Sequence, residues 1–163
     1  MKRIVTVVAL VLTVACVAFI FSNSLDSGVE SGEKSSAVHK LVNEVAHSVG
    51  MTREISHATI RTLAHFAEFA ALGALLALDV ALLASVDPAA SLSREHGVLL
   101  LSLPASILVA IVDELLQLLS PGRATQFLDV LVDSGGALCG LLFFLAIFAV
   151  IHAILRRKSQ VKS

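Results

Sequence analysis

The chain has 163 residues, 56% of them apolar and 15% charged, with a formal net charge of −1 and a mean hydropathy of +0.88. Long windows without any charge rule out a water-soluble fold, and the length allows one small domain. There is no basic stripe with interleaved aromatic residues, which excludes nucleic acid as a partner.

Lys2 and Arg3 precede residues 4–21, eighteen positions without a charge. At ~1.5 Å per residue they reach about 27 Å and span a hydrocarbon core, so they form the first transmembrane helix. Thr13-Val14-Ala15-Cys16 is loosely like a lipoprotein cleavage site. The apolar run continues through Val17-Ala18-Phe19-Ile20-Phe21, however, and an uncleaved helix is expected. Cys16 and Cys139 both lie in apolar runs and read as small buried hydrophobes rather than a disulfide.

Residues 22–60 are rich in Ser and Glu and cannot lie in lipid. Within them Val38, Leu41, Val42, Val45 and Val49 recur at helical spacing among His39, Lys40, Asn43, Glu44 and His47. A short amphipathic helix over residues 35–49, on the membrane surface or capping the bundle, follows from that pattern, with Gly50 ending it. The second span covers about 62–83, the loop marked by Asp87-Pro88 covers 84–96, and the third span covers 97–119. Ser120-Pro121-Gly122-Arg123 is a tight turn, and the fourth span runs over about 127–155. The predicted fold class is all-α: an integral membrane bundle of four transmembrane helices with a short extracytoplasmic amphipathic helix.

Lys2, Arg3, Arg156, Arg157, Lys158 and Lys162 flank the first and last spans, so the positive-inside tendency puts both termini in the cytoplasm of a multi-pass cell-membrane protein. Residues 22–60 and the Pro121 turn then lie outside. Under that topology Arg61, His65 and Glu68 occupy the outer turns of the second span, and Asp113, Glu114 and Gln117 those of the third. Asp129 and Asp133 begin the fourth, and Ser22, Asn23 and Ser24 close the first. Only Asp79 lies near the inner end, where it is expected to reach water. Arg61, His65, Glu68 and Leu72 share a helix face, as do Asp129, Asp133, Gly136 and Gly140, and the two glycines allow close helix approach. Carboxylates are expensive in lipid, so these faces must turn toward one another or toward trapped water.

Five segments in order, Phe21-Ser22-Asn23-Ser24, Arg61-x3-His65-Phe66-x-Glu68-Phe69, Asp113-Glu114-x2-Gln117, Pro121-Gly122-Arg123 and Asp129-x3-Asp133-x2-Gly136-x3-Gly140, resemble the VanZ-like membrane protein family. The family's namesake is associated with teicoplanin resistance. The resemblance covers nearly the whole chain and departs at two positions: Asp133 stands where the family often has Asn, and Phe69 where Tyr is common. It implies a membrane protein of the cell envelope and brings no settled reaction or cofactor with it.

The polar cluster sets two arginines, Arg61 and Arg123, against five carboxylates and one histidine. Two chemistries suit it. His65, Glu68, Asp113 and Glu114 are the candidate acid–base groups. Alternatively, His65 with two or three of the acids holds a divalent cation, although no HExxH or similar compact motif is present. Arg61 and Arg123 suit a phosphate or carboxylate on a lipid-linked envelope precursor, with Gln117, Asp129, Asp133, Ser22 and Ser24 as further polar contacts. The competing reading is a structural network that holds the helices in register. A proton-coupled transporter is disfavoured, because the polar groups gather at one depth and make no path inward. His39, His47, His57, His96 and His152 read as solvated or interfacial, and Phe66, Phe69, Phe143 and Phe144 as packing residues. The sequence names no cofactor and no oligomeric state.

Overall fold

The computed structural model describes residues 2–26, 28–86, 97–121 and 127–160. It contains five long helices, α1 (Lys2–Leu25), α2 (Gly28–Ser48), α3 (His57–Leu83), α4 (Ser102–Gln117) and α5 (Phe127–Gln160), and no strand among those residues. Four segments, Lys2–Leu25, His57–Leu83, Gly97–Gln117 and Phe127–Leu155, are long and apolar enough to cross a membrane. Large apolar side chains such as Val14, Leu108 and Phe143 face outward, each more than 60% exposed, as lipid-facing positions do. The exposed Cys139 belongs to this surface, so it is not the buried residue the sequence suggested, and Phe143 lies there too.

The helices alternate in direction, so one end of the bundle collects Leu25, His57, Gln117 and Phe127. Just below that end Ile20, Phe69, Leu72 and Ala110 form a fully buried apolar core contributed by α1, α3 and α4. The tightest pairing is α3 against α5. A Cβ at Gly136 would collide with the carbonyl oxygen of Phe66, one at Gly140 with that of Ala70, and one at Gly73 with that of Ala137. Three glycines thus let two backbones touch, and the small-residue face read from the sequence is the seam of the bundle.

Several boundaries differ from the sequence reading for identifiable reasons. α1 continues four residues past Phe21, to Leu25, which carries Asn23 and Ser24 into the bundle on a helical face. α3 starts at His57 because the Ser56 hydroxyl caps it, accepting from the Thr59 N–H at 3.1 Å. Residues 97–119 are not one uninterrupted helix. Pro104 cannot donate to the Leu100 carbonyl, and the chain tightens at residues 100–101 into turns bonded from Leu101 to Val98 and from Leu103 to Leu100.

α2 begins before residue 35, and its contact face is not the valine and leucine stripe. Asn43 and Ala46 are buried, while Val38, Leu41, Val45 and Val49 are exposed, an apolar stripe suited to a membrane surface. The Asn43 side chain accepts from the Ile55 N–H at 2.7 Å and donates to the Ile55 carbonyl at 3.2 Å, and His39 stacks on His57 with ring centroids 3.6 Å apart. Gly50, at φ +90°, ends the helix in the left-handed region as expected. His57 is exposed and His39 half-buried, as the sequence suggested, though the two rings stack on each other, whereas His152 is buried on α5 and not solvated or interfacial. His96 lies outside the described residues.

Asp79 does not reach water. It is 4% exposed, and its Oδ2 accepts from the Thr13 hydroxyl at 2.6 Å across the α1–α3 contact. The other oxygen, Oδ1, has no hydrogen-bond partner among the described residues. Thr13→Val should therefore strip a buried acid of its one side-chain donor and destabilise the protein by roughly 1–3 kcal/mol. Thermal unfolding in detergent measures this, and an unchanged midpoint would show that the bond contributes nothing.

Candidate functional site

Chain direction alone delivers the polar residues to a common level. The end of α1, the start of α3, the end of α4 and the start of α5 meet at one end of the bundle, immediately above the apolar core. Side chains from all four helices interlock there. Asp113, fully buried on α4, accepts from the Ser24 hydroxyl at 2.5 Å on Oδ1 and from the Gln117 amide at 3.1 Å on Oδ2. Gln117 in turn accepts from the Arg61 guanidinium at 3.4 Å. On the other side of the site the Asn23 amide donates to Glu68 Oε1 at 3.1 Å. Ser120 closes the end by donating its hydroxyl to the Ser24 carbonyl at 2.8 Å.

Asp133 enters from α5 and is 1% exposed. Its Oδ1 stands 3.8 Å from His65 Nδ1, beyond hydrogen-bond reach, and has no hydrogen-bond partner among the described residues. Glu68 Oε2 shares that condition. The carboxylates of Asp113, Asp129, Glu114 and Glu68 all lie close enough to bear on Asp133 electrostatically. His65, Asp113 and Asp133 each present one ligand atom, and the three atoms lie within 4.8 Å of one another.

A cleft of about 400 Å³ opens beside this cluster between α1, α2 and α3. Its lining mixes apolar residues, Phe19, Val38, Ile60 and Ala64, with polar ones, Asn23, Asp26, Ser31, Arg61, His65 and Glu68. His65 and Glu68 thus belong both to the cluster and to the cleft.

The VanZ/LLP1 family model matches residues 8–150, which contain every element of this site. The chain belongs to the VanZ/LLP1 family. No match to it was found among curated proteins or among solved structures. The VanZ/LLP1 match agrees with the resemblance carried by the five polar segments, and the fold supplies a reason why four of them occur together: those on α1, α3, α4 and α5 lie toward the same end of the bundle.

Of the residues singled out from the sequence of this VanZ/LLP1 chain, Arg61, His65, Glu68, Asp113, Gln117, Asp133 and Ser24 are brought together. Glu114 is buried on α4 beside Asp113, and Asp129 sits half-buried one turn before Asp133. Ser22 is not part of the cluster. It is exposed, and its hydroxyl donates to the Phe19 carbonyl of its own helix at 2.8 Å, because two residues of helix rotation separate it from Ser24. Arg123 lies outside the described residues. Asn23 and Ser120 were missed as site residues. The signal for Asn23 was its position in a helix that outlasts the apolar run, and nothing in the sequence marked Ser120 beyond a turn.

Proposed function

We propose that this VanZ/LLP1 protein binds or acts on a lipid or lipid-linked precursor of the cell envelope at the extracytoplasmic leaflet of the cell membrane, with both termini in the cytoplasm. The observation that carries the reading is the cleft's mixed apolar and polar lining. An amphiphile needs apolar surface for its chain and fixed polar groups for its head, and the cleft is lined by Phe19, Val38, Ile60 and Ala64 together with Arg61, His65 and Glu68. A guanidinium has five N–H donors, and the bond to Gln117 uses one, so Arg61 suits a phosphate or carboxylate head group. The acids beside it provide groups for proton transfer to a bound head group.

A second reading has its own support. The chain of bonds from Ser24 through Asp113 and Gln117 to Arg61 joins α1, α4 and α3, as a purely structural network would. Comparison of envelope lipids and precursors by mass spectrometry, in cells with and without the gene, distinguishes the two. One lipid class should change in amount or in head group, wild-type protein should restore it, and Arg61→Gln should not. Identical profiles, with no lipid retained by the purified protein, would overturn the lipid reading. Teicoplanin susceptibility, measured in the same strains, tests the link suggested by the family's namesake. A reporter active only when exported, fused after Ser163, should stay silent, and strong activity would reverse the orientation.

A further inference from the structure

We propose that His65, Asp113 and Asp133 form a binding site for one divalent transition-metal cation at the inner wall of the cleft. Three helices, α3, α4 and α5, each deliver one donor, and the three donor atoms lie within 4.8 Å of one another. Atoms about 2.1 Å from a shared ion stand roughly 3.4 Å apart at tetrahedral angles and about 4.2 Å apart when opposed. The 3.8 Å between His65 Nδ1 and Asp133 Oδ1 falls inside that range, yet it is too long for a hydrogen bond. Small side-chain movements bring the set onto one ion.

The independent sign of a ligand is Asp133 itself. Its carboxylate is 1% exposed, points at His65, and leaves Oδ1 without a hydrogen-bond partner among the described residues. A buried acid oxygen in that condition, with Asp113, Asp129, Glu114 and Glu68 near enough to act on its charge, is costly to ionise without a positive charge among them. Asp113 is held for the same task from behind: the Ser24 hydroxyl and the Gln117 amide each use one lone pair of its two oxygens and fix the plane of the carboxylate. One imidazole with two carboxylates and no thiolate suits Zn²⁺, Mn²⁺ or Fe²⁺, disfavours Cu⁺, and differs from the all-oxygen sets of Mg²⁺ and Ca²⁺. Because His65 also lines the cleft, a coordination position left open faces the space where a head-group phosphate would lie.

The ion is held by protein groups alone, so the site is tested without any lipid. The full-length protein is purified in detergent, stripped with a chelator, and titrated with Zn²⁺ and with Mn²⁺. Bound metal is counted by mass spectrometry after desalting, and affinity is read by calorimetry. Wild type should retain about one ion per chain. Asp133→Asn and His65→Ala should each weaken binding at least tenfold, and His47→Ala, an exposed histidine on α2, should leave it unchanged. Circular dichroism and gel filtration establish that each variant is folded. His65 lines the cleft and is only partly buried, so His65→Ala decides the matter if Asp133→Asn lowers the yield. Folded wild type that retains neither ion, or binding undiminished in folded His65→Ala, overturns the site. Either result leaves the lipid comparison above untouched.

Discussion

Gly140→Ala should cost more than about 3 kcal/mol and deplete the protein from the membrane, a severe effect for one methyl group. The added Cβ would stand 2.8 Å from the Ala70 carbonyl carbon and 2.9 Å from the Ala74 nitrogen. Overpacking against flexible side chains costs roughly 1–3 kcal/mol, but here the obstacles are backbone atoms of α3, and whole helices must separate to make room. Separating them also loosens the packing around Phe69 and Leu72. Gly135→Ala is the matched control on the same helix. Its Cβ would meet only a ring carbon of Phe66 at 3.8 Å, an ordinary contact, and should be tolerated. Thermal unfolding in detergent and membrane abundance measure both variants. Equal behaviour of the pair would refute the α3–α5 seam.

Glu68→Gln should abolish the envelope-lipid change while leaving stability within about 1 kcal/mol of wild type. Glutamine keeps an oxygen to accept from Asn23, so that bond survives, while the negative charge facing the cleft is lost. Asp113→Asn is expected to differ. Asparagine has one acceptor oxygen where Ser24 and Gln117 require two, so function should be lost together with roughly 1–3 kcal/mol of stability. Mass spectrometry and unfolding, run on the same preparations, separate the cases. If Glu68→Gln loses stability and function in parallel, the cluster is structural. If it loses neither, Glu68 has no part in the site.

The reach of the sequence follows from which forces act locally. Hydropathy sets the spans, so all four were legible, and direction alternates, so the gathering of Arg61, Asp113 and Asp133 at one end followed from counting turns. The spacing of Gly136 and Gly140 revealed the close-packed face, though not that Gly73 answers it from α3. What escaped depends on neighbours that are distant in sequence. Asp79 looked like a helix-end acid because Thr13, its partner, is 66 residues away. Ser22 and Ser24 looked equivalent until the continuation of α1 put them on different faces. The outward stripe of α2 was read correctly as amphipathic, but the side that docks is a different one, held by Asn43.

The glycine seam also determines where this protein is able to move. Ridges interlocked at Gly73, Gly136 and Gly140 cannot slide past one another without riding over carbonyl groups, so α3 and α5 behave as one stiff wall. The other boundary of the cleft is made by α1 and α2, and α2 is tied by Asn43 to Ile55 just before α3 and by the His39–His57 ring stack to its first turn, not by glycine contacts. The cleft thus lies between a side locked by backbone contact and a side joined by polar contacts alone.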